Sequence, residues 1–381
     1  MKRIVLSTLA ALTLGSVVAN GSEIKLYQDA NGQVFTKPAE GRVALNGSTP
    51  VYAKASKLKF SGVTYIGALS EDYTSVDRES TAQMEIRRAY LQLKAYFLED
   101  TKSYFRVTYD LHDDAGSRVA RAKYAYLYLD NVLQNTGVEI GLAHRPWHDY
   151  EEHNAWMYRS IAKVLIEDKN HGGDLSNSAD FGVMTKTRTK YFDADLGVFN
   201  GEGYHADQNN ANGLSAEWRA TAHILGVSGK DKQTKKTYFD TSFFGQYNVD
   251  HKEVDGENQD LIFMGVHAVY NQPSFLISAQ YVVSQDTLDG AAVSAQAGSG
   301  FSVNGEYRLG EKKEYRVLAR YDSWTKELEN SSDEEANTAV IAGVAWAQSH
   351  NVEWVANVTV TDNVDDAKDT TAYMVTAEVK F

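Results

Sequence analysis

From about residue 57 to its end the chain alternates apolar and polar residues with a period of two. In the last segment Tyr373, Val375, Ala377, Val379 and Phe381 share one parity, while Thr376, Glu378 and Lys380 share the other. Before it, Val352, Trp354, Ala356, Val358 and Val360 oppose Glu353, Asn357, Thr359 and Thr361. Phe301, Val303, Tyr307 and Leu309 oppose Ser302, Asn304, Glu306 and Arg308, and Tyr315, Val317, Ala319 and Tyr321 oppose Arg316, Arg320 and Asp322. Successive side chains of a strand point to opposite faces, so each run predicts a strand with one apolar and one wet face. The pattern predicts about sixteen strands. They begin near Lys57, Ala82, Ser103, Val119, Thr136, Ala179, Phe192, Gly213, Thr237, Gln259, Pro273, Ser299, Glu314, Asn337, Val352 and Thr371.

A soluble sandwich also alternates, but three features favour a membrane barrel. Tight links at 99–101, 190–192, 271–273, 310–312 and 348–351 are interleaved with longer polar stretches at 72–81, 146–178, 201–212, 285–298, 326–336 and 362–370. Short turns at one rim and long loops at the other are the habit of outer-membrane barrels. Aromatics flank the tight links, as Phe97 with Tyr104, Tyr191 with Phe192, Tyr270 with Phe275, Tyr307 with Tyr315 and Trp346 with Trp354. The chain ends on Phe381, with Tyr373, Val375, Ala377 and Val379 before it at alternate positions. That ending suits recognition by the barrel assembly machinery. The expected fold is all-β, a transmembrane antiparallel β-barrel with short periplasmic turns and long external loops. A closed barrel of this strand number encloses a water-filled channel.

The first residues read as an address. Lys2 and Arg3 precede an apolar run from Ile4 to Leu14, and Val17, Val18 and Ala19 supply small residues for cleavage. This predicts a signal peptide over 1–19 and export to the bacterial outer membrane. Residues 20–56 are expected to form an N-terminal periplasmic extension around the hairpin signal Asn31-Gly32, with the barrel over 57–381.

Composition narrows the chemistry. Among 381 residues there is no Cys, which excludes disulfides, Cys-ligated zinc, iron–sulfur clusters and thiol nucleophiles. The net charge of −13 argues against nucleic acid as a partner. There is no Gly-x-Ser-x-Gly elbow, phosphate-binding loop or His-Glu-x-x-His, so no enzyme activity and no cofactor are expected. A barrel hydrolase and a partner-dependent conduit stand as alternatives to a diffusion channel.

Parity selects the candidate pore lining: Arg88, Lys94, Arg106, Arg121, Lys123, Arg145, Arg219, Arg308, Arg316 and Arg320. A charge facing lipid would cost about 2–4 kcal/mol at the midplane, so these side chains must face water. Glu139, Glu217, Glu306, Asp322, Glu353 and Glu378 share that side. Two readings follow, a basic arc that guides anions or a wall of cross-paired charges without strong preference. The long stretch 146–178 is the candidate constriction. Its middle, Ala155 to Leu165, has apolar residues at near-helical spacing, which would set Arg159 and Lys163 on one helix face. The alternative is a flap on the rim. His144, His148, Asp149, Glu151, Glu152 and His153 crowd its start as a possible metal cluster or as solvated polar residues.

Arg87-Arg88-Ala89-Tyr90-Leu91 resembles the Arg-Arg-Ala-x-Leu stretch of the phosphate-selective porins of the O and P type. Ala179-Asp180-Phe181-Gly182-Val183-Met184 and Gly197-Val198-Phe199-Asn200-Gly201 resemble that family's Arg-Asp-Ile-Gly-Val strand and Gly-Val-Phe-Asn-Gly ending, with Ala179 where the family has Arg. The resemblance implies a sixteen-stranded, homotrimeric outer-membrane porin with an inward-folded third loop. It implies passive diffusion of small hydrophilic solutes and ions, with preference for anions such as phosphate. The expected partners are outer-membrane lipid, lipopolysaccharide, the barrel assembly machinery and sister subunits.

Overall fold

A computed structural model of the chain describes residues 26–29, 34–35, 38–45, 55–74, 79–114, 117–206, 213–226, 233–254, 257–286, 296–327, 336–365 and 368–381. The expected signal peptide, 1–19, lies outside the described residues. Three short strands, β1 (Leu26–Gln28), β2 (Val34–Phe35) and β3 (Val43–Leu45), make a small antiparallel sheet in the order β2-β1-β3. Strands β1 and β2 flank Asn31-Gly32, with Tyr27 opposite Phe35.

The remaining strands close into one sixteen-stranded antiparallel barrel. They are β4 (Lys57–Tyr73), β5 (Thr81–Tyr96), β6 (Tyr104–Asp114), β7 (Ser117–Leu133), β8 (Thr136–His144), β9 (Ala179–Arg188), β10 (Phe192–Phe199) and β11 (Ser215–His223). They continue as β12 (Tyr238–Val254), β13 (Glu257–Gln272), β14 (Phe275–Gln285), β15 (Gly298–Leu309), β16 (Tyr315–Lys326), β17 (Ala336–Ala347), β18 (Val352–Asp362) and β19 (Thr370–Lys380). Each strand pairs with its sequence neighbours, and β19 closes the ring on β4 from Thr370↔Tyr73 to Lys380↔Val63. Closure pairs the backbone amides that lipid cannot satisfy.

Parity separates the two faces as the alternation requires. Leu91, Val183, Leu196, Val266, Ile277, Val317, Val344 and Val375 are exposed on the outside, while Arg219, Arg308, Arg320, Asp322 and Glu378 are buried inside. Tyr191, Phe192, Tyr307, Tyr315, Trp346 and Trp354 are exposed beside short turns. Tyr104 corrects one expectation. It lies on the inward parity against Tyr128, and Phe105 takes the outward place. The long-loop rim is also less uniform than expected. Pairing continues to Asp114↔Ser117 and to Val254↔Glu257, so ladder hydrogen bonds occupy residues that would otherwise be loop.

The seam has its own packing. Phe381 and Gly62 exchange backbone hydrogen bonds at 2.9 and 3.1 Å, and a Cβ on Gly62 would overlap the Phe381 ring. Small-to-large changes in packed sites cost about 1–3 kcal/mol. Gly62→Val is therefore expected to reduce the fraction of heat-resistant barrel on unheated gels. In protein refolded in detergent, where the assembly machinery takes no part, Phe381→Ala in the same chain should restore part of it, since the new side chain meets the ring together with the Tyr90 carbonyl.

Candidate functional site

Connection 145–178, between β8 and β9, turns into the barrel. Arg145 ends the extended chain and Pro146 opens helix α1 (Pro146–Asn154), with its fixed φ and missing N–H in the first helical position. Trp147 stacks flat on Phe244 of β12, ring centroids 3.6 Å apart, and its Nε1 donates to Glu151 at 2.6 Å. Tyr150 Oη donates to Asp240 at 3.1 Å. Beyond the helix Ile161, Val164, Leu165 and Ile166 are buried in one cluster with Leu318, Trp324, Ile341, Val355 and Met374 of the barrel wall. Each such side chain contributes about 1.5–3 kcal/mol on burial. The loop therefore fills the lumen along β12–β19.

The helix expected over 155–165 is not formed; that segment runs in turns, and the helix precedes it. The reason is enclosure. The segment is covered by wall and loop together, so it needs apolar residues on several sides, whereas helical spacing serves a chain covered on one side.

Among the residues nominated as pore lining, one group belongs to the loop's seat. Arg145 donates to Glu217 at 2.8 Å, Arg219 to Asp195 at 3.1 Å, and Arg320 to Asp322 at 2.8 Å. Arg308 is held by Glu306 and by Asn271 Oδ1 at 2.9 Å, and Arg316 pairs with Glu353. In the loop, Arg159 joins Glu152 and Glu167, and Lys163 lies 3.5 Å from Glu167. Burial opposes the charge on Arg159, but the two carboxylates outweigh it and raise its pKa.

The other group lines the space the loop leaves open, a cavity of about 390 Å³ against β4–β9. Lys94 Nζ stands 4.4 Å from the centroid of the Tyr104 ring. The Arg106 guanidinium lies 4.5 Å from that of Tyr124 and donates to Thr108 at 3.0 Å and to Tyr126 Oη at 3.3 Å. Lys123 donates to Tyr90 Oη at 3.2 Å, which also receives Arg88 at 2.9 Å. Arg88 and Arg121 share Asp110 at 3.5 and 3.8 Å. Among the described residues no carboxylate lies within 4.0 Å of Lys94, Arg106 or Lys123. The carboxylates facing them have other contacts: Glu139 holds Lys186 at 3.0 Å and His144 at 3.1 Å, Glu152 holds Arg159, and Asp149 lies 3.9 Å from the same Lys186. Arg106 can only donate to His144 Nε2, 2.9 Å away, so His144 keeps its proton on Nδ1 for Glu139 and is neutral. Of the histidine–carboxylate cluster, His148 is buried with neither ring nitrogen hydrogen-bonded, and among the described residues no three His, Asp or Glu side chains converge as a metal-binding group.

Two sets of functional residues escaped sequence reasoning. Tyr65, Tyr90, Tyr104, Tyr124 and Tyr126 line the cavity. Their signal was present, since Tyr104 shares parity with Arg106, and Tyr90 with Lys94. The apolar seat of the loop was also legible, because Leu318, Ile341, Val355 and Met374 interrupt the wet parity of their strands.

No family model and no curated protein matches the sequence. Solved structures do match. The anion-selective porin from Comamonas acidovorans aligns with a TM-score of 0.63 at 11% identity, over 85% of this chain and 99% of its own. A loop L8 deletion mutant of OmpT, an outer membrane protein of Vibrio cholerae, gives 0.60 at 14% identity over 85% and 99%. OmpF of Salmonella typhi, in complex with daunomycin, gives 0.59 at 14% identity over 85% and 98%. At these identities the likeness is one of fold. The chain has the fold shared by outer-membrane porins. With its closed ring and apolar outer belt, it is a barrel of the bacterial outer membrane.

Two buried loop groups predict a pH dependence. Burial pushes His148 down to about 3 and Glu151 up to about 7. A lowered His weakens the docked loop as pH falls below about 6.5, and a raised Glu weakens it as pH rises above about 4.5. The slopes oppose each other between roughly pH 5 and 6.5, so native docking should be nearly flat there. In Glu151→Gln only the His148 slope survives, and docking should strengthen by up to about 1.4 kcal/mol per pH unit over that interval. Thermal release of the loop, followed by Trp147 and Trp156 fluorescence, measures it.

Proposed function

We propose that the chain is a porin, a water-filled outer-membrane channel for passive diffusion of small hydrophilic solutes and ions, with preference for anions. The observation that carries the preference is the set of three cations, Lys94, Arg106 and Lys123, facing the open cavity without a carboxylate partner among the described residues. Tyr90 Oη accepts from both Arg88 and Lys123, which leaves its own proton to donate. A lining of cations and hydroxyl donors suits an oxyanion, phosphate included. Net charge does not oppose this, because Glu139 and Glu152 beside the passage are paired with Lys186 and Arg159 and selectivity is a local field.

The resemblance at residues 87–91 and 179–203 supports the phosphate-type reading, and Ala179 in place of Arg departs from it. The solved trimer form of the Vibrio cholerae protein OmpT supports a homotrimer. The signal peptide over 1–19, the recognition of the terminal strand by the assembly machinery and contact of the long loops with lipopolysaccharide complete the proposal.

Purified protein added to a planar bilayer is expected to give stepwise conductance with a reversal potential of anion-selective sign, and inorganic phosphate should reduce the chloride current. A unit charge at about 4 Å contributes about 1 kcal/mol in water. Replacing Lys94, Arg106 or Lys123 by Gln should therefore lower the anion-to-cation permeability ratio about fivefold each at low salt, whereas Arg316→Gln should shift it little. Native channels that favour cations would remove the anion preference and leave the porin.

A further inference from the structure

The link between β11 and β12 joins strand ends at the rim of short turns and has more residues than the other links there; residues 224–226 and 233–237 of it are described. Gln233 of this link and Tyr238, which opens β12, meet the end of α1 inside the lumen. Gln233 Nε2 donates to the carbonyl of His153, and Tyr238 Oη donates to that of Asn154 at 3.0 Å. The final carbonyls of a helix have no partner within it. Here the Glu151 carbonyl takes the Ala155 and Trp156 amides, both at 3.0 Å, the carbonyl of His153 is met from the connection, and that of Asn154 from the first residue of β12. The connection is itself pinned to the wall. Asn271 Nδ2 donates to the carbonyls of Gln233 at 2.8 Å and Lys236 at 2.7 Å, and Arg308 Nη1 reaches the Gln233 carbonyl at 3.1 Å. Met157, just past the helix, packs on Tyr238, Val269 and Leu276.

We propose that residues 233–238 are a clamp that positions the constriction loop from the periplasmic side, with Gln233 and Tyr238 as its positioning residues. The helix they hold presents His148, Asp149 and Glu152 to the cavity, and the chain just beyond it presents Arg159. A shift of the helix end therefore moves one wall of the passage. The cations on the opposite wall, on β5–β7, are untouched, so the clamp governs the steadiness of the opening and not its selectivity.

The test combines Gln233→Ala with Tyr238→Phe, which removes both donors and keeps the ring on Met157. Gln233→Glu, which keeps the length and loses the donor, is a second variant outside the strands. Single-channel closures are expected to rise several-fold with the reversal potential unchanged. A readout independent of conduction uses His153→Cys in a chain that has no other Cys. Its alkylation by a maleimide should quicken several-fold when the clamp is removed, in barrels that still migrate as heat-resistant species. Unchanged alkylation and closure rates would overturn the clamp. The electrical arm rests on the channel reading and the alkylation arm does not. A protein that never conducts but whose thiol at position 153 becomes more reactive therefore refutes the channel and retains the clamp.

Discussion

The stack of Trp147 on Phe244, 3.6 Å between centroids and nearly parallel, fixes where connection 145–178 lies within the barrel. A barrel of this size has room for water across its whole section. What divides that section here is an apolar seat on the inner wall, running from Phe244 of β12 to Met374 of β19. Once Trp147 is placed, the helix behind it points toward the short-turn rim, and the rest of the loop covers the remaining apolar wall. The passage is what is left beside β4–β9. Its position follows from hydrophobic burial, and its chemistry from the residues that burial leaves uncovered.

The same division sorts the charges. Under the loop each arginine is dry and must be paired, because an uncompensated buried charge costs several kcal/mol. Arg145 with Glu217, Arg219 with Asp195 and Arg320 with Asp322 meet that requirement. Along the passage, aromatic rings and hydroxyls hold Lys94, Arg106 and Lys123 in place without neutralising them. A cation resting on a tyrosine face keeps its charge, gaining about 0.5–2 kcal/mol from the ring quadrupole. The chain as a whole is acidic while this surface is basic.

Much of the barrel was legible from alternation. Lys57, Thr136, Ala179, Phe192 and Val352 begin strands where the pattern places them, and Gly213, Gln259 and Pro273 miss by two residues. Period two is enforced along every lipid-facing strand, so the signal recurs in each one. The loop obeys no period, because wall and loop together enclose it, and spacing over 155–165 therefore suggested a helix that packing does not form. Tyrosine was ambiguous for a related reason: an apolar ring with a polar tip is at home on either face. Tyr307 faces outward and Tyr126 inward, and only the register with neighbouring strands distinguishes them. Lys94, Arg106 and Lys123 were nominated and Lys186, which lines the same cavity, was not; which of the inward cations stay open depends on where the loop lies, and that is a tertiary property.

One consequence separates selectivity from architecture. Arg145 and the charges on the inner parity of β11, β15 and β16 are buried against the loop, whereas Lys94, Arg106 and Lys123 of β5–β7 border the open cavity. A substitution in the first set leaves a buried partner unmatched and acts on the position of the loop, hence on the width of the passage. On the channel proposed above, one in the second set changes the field that an ion would meet and leaves the loop where it is. Two inner-wall arginines with the same parity and the same charge, Arg320 and Arg106, thus stand in different settings, one under the loop and one beside the cavity. What distinguishes them is whether Trp324 and Ile341, or Tyr124 and Tyr126, are their neighbours in the wall.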